Sequence, residues 1–128
     1  MKRFKSRPQF QAALNAPVIA KTQHFVMHKA LIATEPLEPN FNLFTQDVWL
    51  GAMVPKRWAR RAVTRNTLKR QIYSLGGGSA HQFSGAAYLI RLRSEFSRQH
   101  FPSASSDALQ RAAGAELANL LQIGLNAK

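Results

Sequence analysis

The sequence has no cysteine, so disulfide scaffolds, thiolate zinc sites and cysteine nucleophiles are excluded. It is also poor in acids. Glu35, Glu38, Asp47, Glu95, Asp107 and Glu116 are all six, and none falls between Val48 and Ser94. A protein nuclease would need clustered carboxylates for two-metal chemistry, or positioned acid–base pairs. Six scattered acids do not supply that cluster, so no catalytic residue and no metal ligand is assigned. Long apolar runs are missing as well: none reaches the roughly 18 residues that span a bilayer. Residues 1–7 are basic but no apolar segment follows them, so they do not read as a secretory signal. A cytoplasmic location is the expectation.

What is there is positive charge on a chain able to fold. Hydrophobic residues make up 45% of the 128, enough for a core and the length of one domain. A single domain, residues 1–128, is expected. The balance of 18 Lys+Arg against 6 Asp+Glu gives +12. That excess calls for a polyanionic partner, nucleic acid or an anionic membrane surface. Seven cations crowd into fifteen residues: Lys56, Arg57, Arg60, Arg61, Arg65, Lys69 and Arg70. A solvated helix face would carry alternating signs and i,i+4 ion pairs. No local acid exists to make them, so the partner must bring the anions.

Periodicity and punctuation place the elements. Phe4–Leu14 reads as a short helix ended by Pro17, and Val18–Lys21 as a β-prone piece. Phe25–Ile32 reads as a strand, with Phe25, Met27 and Leu31 on one face and Val26, His28 and Ala30 on the other. Thr34–Asn42 and Arg98–Ser106 are loops. Asp47–Val54 and Gly85–Arg93 are strands. Arg61–Leu75 is a helix that Gly76-Gly77-Gly78-Ser79 should stop. A last helix begins at Ser106 or Asp107, with Leu109, Ala113, Leu117 and Leu120 at helical spacing. The order α-β-β-β-α-β-α describes an α+β domain with helices covering a small sheet.

On the central helix, Leu68, Ile72 and Leu75 form a narrow apolar stripe. Ala62, Arg65, Asn66, Lys69, Arg70 and Tyr73 fill the opposite arc. Arg would hold phosphates bidentately and Lys as a point charge, while Asn66 and Tyr73 suit sugar and base. His24 and His28 are four apart on a strand, so they should project from the same face. A packing role or an RNA-facing one suits that pair better than a metal.

These residues resemble a known signature. Gly51-Ala52-Met53-Val54-Pro55-Lys56-Arg57, then Arg60-Arg61-Ala62-Val63, Arg65-Asn66 and Lys69-Arg70 are similar to the protein subunit of bacterial ribonuclease P, in its proteobacterial form. Pro8-Gln9-Phe10 looks like the opening of that family's first helix. Thr67 and Tyr73 depart from it, standing where the family usually carries cations. The resemblance implies a ribosomal-protein-like sandwich with a left-handed β-α-β crossover. It also implies a ribonucleoprotein, one protein to one RNA, in which a catalytic RNA subunit cleaves precursor tRNA. Cleavage would use Mg2+ held by the RNA and would give the mature 5′ end. Lys56, Arg57, Arg60, Arg61, Arg65, Asn66, Lys69 and Arg70 would bind the RNA subunit. A cleft with Phe10, Leu14 and His28 would take the 5′ leader, with simple packing of the first helix as the alternative. A small basic ribosomal protein is the competing reading. A helix-turn-helix DNA binder fits less well, because strands flank the single basic helix. A membrane-surface protein would need a broader apolar face than this helix has.

Overall fold

The protein is described from a computed structural model, which covers residues 1–32, 44–45, 47–97 and 107–127. The loops expected at Thr34–Asn42 and Arg98–Ser106 lie outside the described residues, as does Ser106 as a cap. Strands β1 (Lys2–Arg3), β2 (Val18–Lys21), β3 (Phe25–Ala30), β4 (Trp49–Met53) and β5 (Ala87–Leu92) form one sheet in the order β1-β4-β5-β3-β2. Pairing is parallel for β1–β4 and β4–β5, antiparallel for β5–β3 and β3–β2. Helices α1 (Arg7–Leu14), α2 (Ala62–Ser79) and α3 (Asp107–Asn126) complete the fold. The expected α+β order is present, and β4–α2–β5 is its parallel crossover.

Side-chain alternation along the strands builds two cores. Leu50 and Ala52 on β4, Tyr88, Ile90 and Leu92 on β5, and Phe25 and Met27 on β3 face α2 and α3. Leu68 and Ile72 of α2 meet them, with Leu109, Ala113, Leu117 and Leu120 of α3. On the other face Trp49, Ala87 and Leu89 pack with Phe4 and with Ala13 of α1. The sheet is thus a wall between α1 on one side and α2 and α3 on the other.

Four expectations are corrected. The first helix starts at Arg7, not Phe4. Lys2 and Arg3 instead pair with β4, and the Phe4 ring lies on Gly51, where a Cβ would come within 2.5 Å of it. Gln9 fixes the helix start: its Oε1 accepts the backbone N–H groups of Lys5 (2.5 Å) and Ser6 (3.1 Å). Second, α2 runs through the glycines to Ser79. Gly76 is buried against Leu50, where a Cβ would collide with Cδ2. The glycine permits close helix–sheet approach and ends nothing. Third, Leu31 lies past the end of β3 and is 83% exposed, so it shares no face with Phe25 and Met27. Fourth, His24 precedes β3 and bonds to α3, whereas His28 bonds to the backbone just beyond α1. Strand alternation begins only at Phe25, so the two histidines do not form a pair.

Candidate nucleic-acid interface

The basic surface is made by the passage from β4 into α2. After Met53 the chain turns at Pro55, whose carbonyl accepts the N–H groups of Trp58 and Ala59, both at 3.1 Å. Trp58 is partly buried against the main core and anchors the turn, while Arg57 lies over its ring at 5.4 Å. Lys56, Arg57, Arg60 and Arg61 are exposed around it. Asn66, Lys69 and Arg70 are exposed on the outer face of α2. Leu68 and Ile72, at 0% and 1% exposure, turn the opposite face to the sheet. Leu75 is only half-buried beside them.

Arg65 differs from its neighbours. Its Nη1 donates to the carbonyls of Ala59 (3.1 Å) and Arg60 (2.8 Å). One edge of this half-buried guanidinium is therefore used to tie the turn to the helix. Arg65 sets the path on which Arg60 and Arg61 stand. Thr67 lines a groove between α2 and α3 with Arg70, Gln71, Ser74 and Gln110.

Electrostatics leaves this surface uncompensated. Among the described residues no Lys or Arg of it is in an ion pair with a carboxylate. The first turn of α2 carries no acid, and its N-cap residue, Arg61, makes no side-chain capping bond. The positive end of the helix dipole thus adds to four cations beside it, an arrangement that favours a bound anion.

The second surface lies across the sheet. Phe10 and Leu14 of α1 are partly buried, packed on the smaller core. Phe10 meets Phe4 edge-on with ring centroids 5.1 Å apart, and Phe44 bridges Phe4 (5.0 Å) and Trp49 (5.4 Å). His28 is only 4% exposed. Its Nδ1–H donates to the Ala16 carbonyl at 2.9 Å, and its Nε2 accepts from Arg91 Nε at 3.0 Å. These partners fix the neutral Nδ1-protonated tautomer. The ring is a buried strut that aims Arg91, so in this structure it offers no free face for stacking. Sequence reasoning missed Arg91. The available signal was a cation at the penultimate position of an apolar strand, in register with Leu89 on the α1 face.

Among the described residues no three His, Asp or Glu side chains come together as metal ligands. No described helix is long and apolar enough to cross a membrane.

A small α+β domain with an unpaired basic strand–turn–helix and an aromatic-lined second face is a nucleic-acid-binding class of protein. The family model for Ribonuclease P matches residues 1–115, and the chain belongs to that family. It is 28% identical over 121 residues to the ribonuclease P protein component of Ralstonia pickettii, covering 94% of this chain and 77% of that one. With the same component from Bordetella parapertussis it shares 33% over 109 residues, 85% and 80% of the two chains. The fold is similar to the solved Staphylococcus aureus RNase P protein, with a TM-score of 0.66 at 20% identity over 96% and 94% of the chains. Membership in this family implies a part in tRNA 5′ processing.

Proposed function

We propose that the chain is the protein subunit of a ribonuclease P holoenzyme, one copy on one catalytic RNA, working in the cytoplasm. The β4–α2 turn and the outer face of α2 bind that RNA through Lys56, Arg57, Arg60, Arg61, Asn66, Lys69 and Arg70. Arg65 positions the turn with one edge and keeps its remaining donors for phosphate. The α1 face of the sheet takes the 5′ leader of precursor tRNA, with Phe10 and Leu14 as apolar contacts. Arg91, aimed by His28, supplies a cation there. Single-stranded RNA is commonly held by this combination of stacking and charge.

The protein's part is binding and orientation. Mg2+, held by the RNA and its substrate, would supply the activation of water. The observation that carries the reading is the run of exposed cations without acids on one strand–turn–helix. Such cations release counterions from RNA, so affinity must fall steeply with salt. The test is binding to a bacterial-type ribonuclease P RNA across salt concentrations. Lys69→Ala should weaken it and flatten the log–log salt plot by roughly 0.7–0.9 for one lost phosphate contact. Unchanged affinity and slope would turn this face away from the RNA.

A further inference from the structure

Asn66, Lys69 and Arg70 are followed on the same side of α2 by Tyr73, at helical spacing from all three. Tyr73 is half-buried, and its hydroxyl accepts the N–H of Ala52 at 3.2 Å. Ala52 lies on the β4 edge just past the last β1 partner, so the hydroxyl serves where the short strand has run out. The ring is covered by Arg3, whose Cζ lies 4.2 Å from its centroid. The β1 backbone is held on β4 by Lys2 N–H to the Val48 carbonyl (2.9 Å) and Phe4 N–H to the Leu50 carbonyl (3.1 Å). Strand alternation then separates its two cations. Lys2 goes toward Trp49 and Thr45 on the α1 side, while Arg3 goes over α2.

Arg3 is exposed, and among the described residues it has no carboxylate partner. A guanidinium stacked on an aromatic ring keeps its N–H edge free. It is fixed at both backbone and side chain, so little side-chain entropy is left to lose when it binds an anion. We propose that Arg3 belongs to the RNA-binding surface, as the terminal cation of the row Asn66, Lys69, Arg70, brought there by β1 and held on Tyr73. It would contact an RNA phosphate. Tyr73 is then the platform that seats a cation supplied from the chain's N-terminus. This rests on the reading of α2 as the RNA-binding helix.

The test is binding of the full chain to a bacterial-type ribonuclease P RNA at several salt concentrations, with thermal unfolding measured alongside. Arg3→Ala should weaken binding about fivefold and make the salt slope shallower by up to about 0.9. The double variant Arg3→Ala with Tyr73→Arg moves the cation onto the helix and should recover most of that loss. If Arg3 only staples β1 to α2, Arg3→Ala lowers the melting temperature and leaves affinity and slope alone, which overturns the proposal. So does a folded double variant as weak as Arg3→Ala. Lys69→Ala tells the two failures apart. If it weakens binding while Arg3→Ala does not, only the role of Arg3 falls. If neither does, the reading of α2 falls with it.

Discussion

Single residues here do two kinds of work, and charge decides which. Lys69 and Arg70 face out and, among the described residues, pair with no carboxylate, and the helical spacing of the sequence was enough to place them there. Glu116 is used inward. Its Oε1 pairs with His24 Nδ1 at 2.7 Å, and its Oε2 accepts the Thr22 hydroxyl and the His24 backbone N–H, each at 2.7 Å. The His24 ring also stacks on Phe96 at 3.9 Å. Burial alone would raise the Glu116 pKa, but the bonds from His24 and Thr22 outweigh it and hold the carboxyl below its ordinary value. A lowered carboxyl pKa stabilises the fold above the unfolded value, and that share is lost as pH falls through the folded one. Glu116→Gln should therefore cost about 1–3 kcal/mol near neutrality. In urea unfolding below about pH 4.5 the gap to the unmodified chain should narrow. A gap constant with pH would assign the effect to packing. None of this was legible beforehand, because the partners are 92 and 94 residues apart. Arg65 stands seven residues before Ile72, on the flank of the apolar stripe; what a helical wheel does not show is that carbonyls of the preceding turn take up one edge of its guanidinium.

At the scale of elements, legibility followed length and periodicity. Strands β3, β4 and β5 and helix α3 fall within a few residues of where alternation and leucine spacing put them. Strand β1 has two residues, too few for any period, and its parallel pairing with β4 is purely tertiary. The glycine run misled because glycine is both a helix breaker and the residue of close approach. The two meanings separate experimentally. Gly78 is exposed and a Cβ there meets nothing within 4 Å. Gly78→Ala should stabilise the protein by about 0.5–1 kcal/mol through helix propensity and a less flexible unfolded chain. Gly76→Ala gains the same but forces buried Leu50 aside, an overpacking cost of about 1–3 kcal/mol. Denaturant midpoints should move in opposite directions. Equal stabilisation at both sites would mean that α2 lies less tightly on β4 than the structure has it.

At the scale of the whole molecule, the sheet keeps two surfaces apart. The α2 face and the α1 face are lined by alternate residues of the same strands, Leu50 against Trp49 and Tyr88 against Leu89. On the proposed reading, a chain of net charge +12 would meet two segments of RNA at once without either surface borrowing residues from the other. This separation has an energetic consequence. Phe10→Ala and Lys69→Ala share no contact, so their effects on precursor tRNA binding by the holoenzyme should add within about 0.5 kcal/mol. Their dependence on the leader should differ. Phe10→Ala should weaken precursor binding by about 1–3 kcal/mol, the worth of a base–aromatic stack, and leave mature tRNA unaffected. The effect should vanish when the leader is cut to one or two nucleotides. If Lys69 binds the RNA subunit as proposed, Lys69→Ala acts through assembly, and its effect should be the same for every leader length. Phe10 also packs edge-on against Phe4, so thermal unfolding of its variant is measured beside the binding. A folded Phe10→Ala that weakens mature and precursor tRNA equally would take the residue out of the leader's path. Strong non-additivity with Lys69→Ala would mean that the two faces communicate through the sheet.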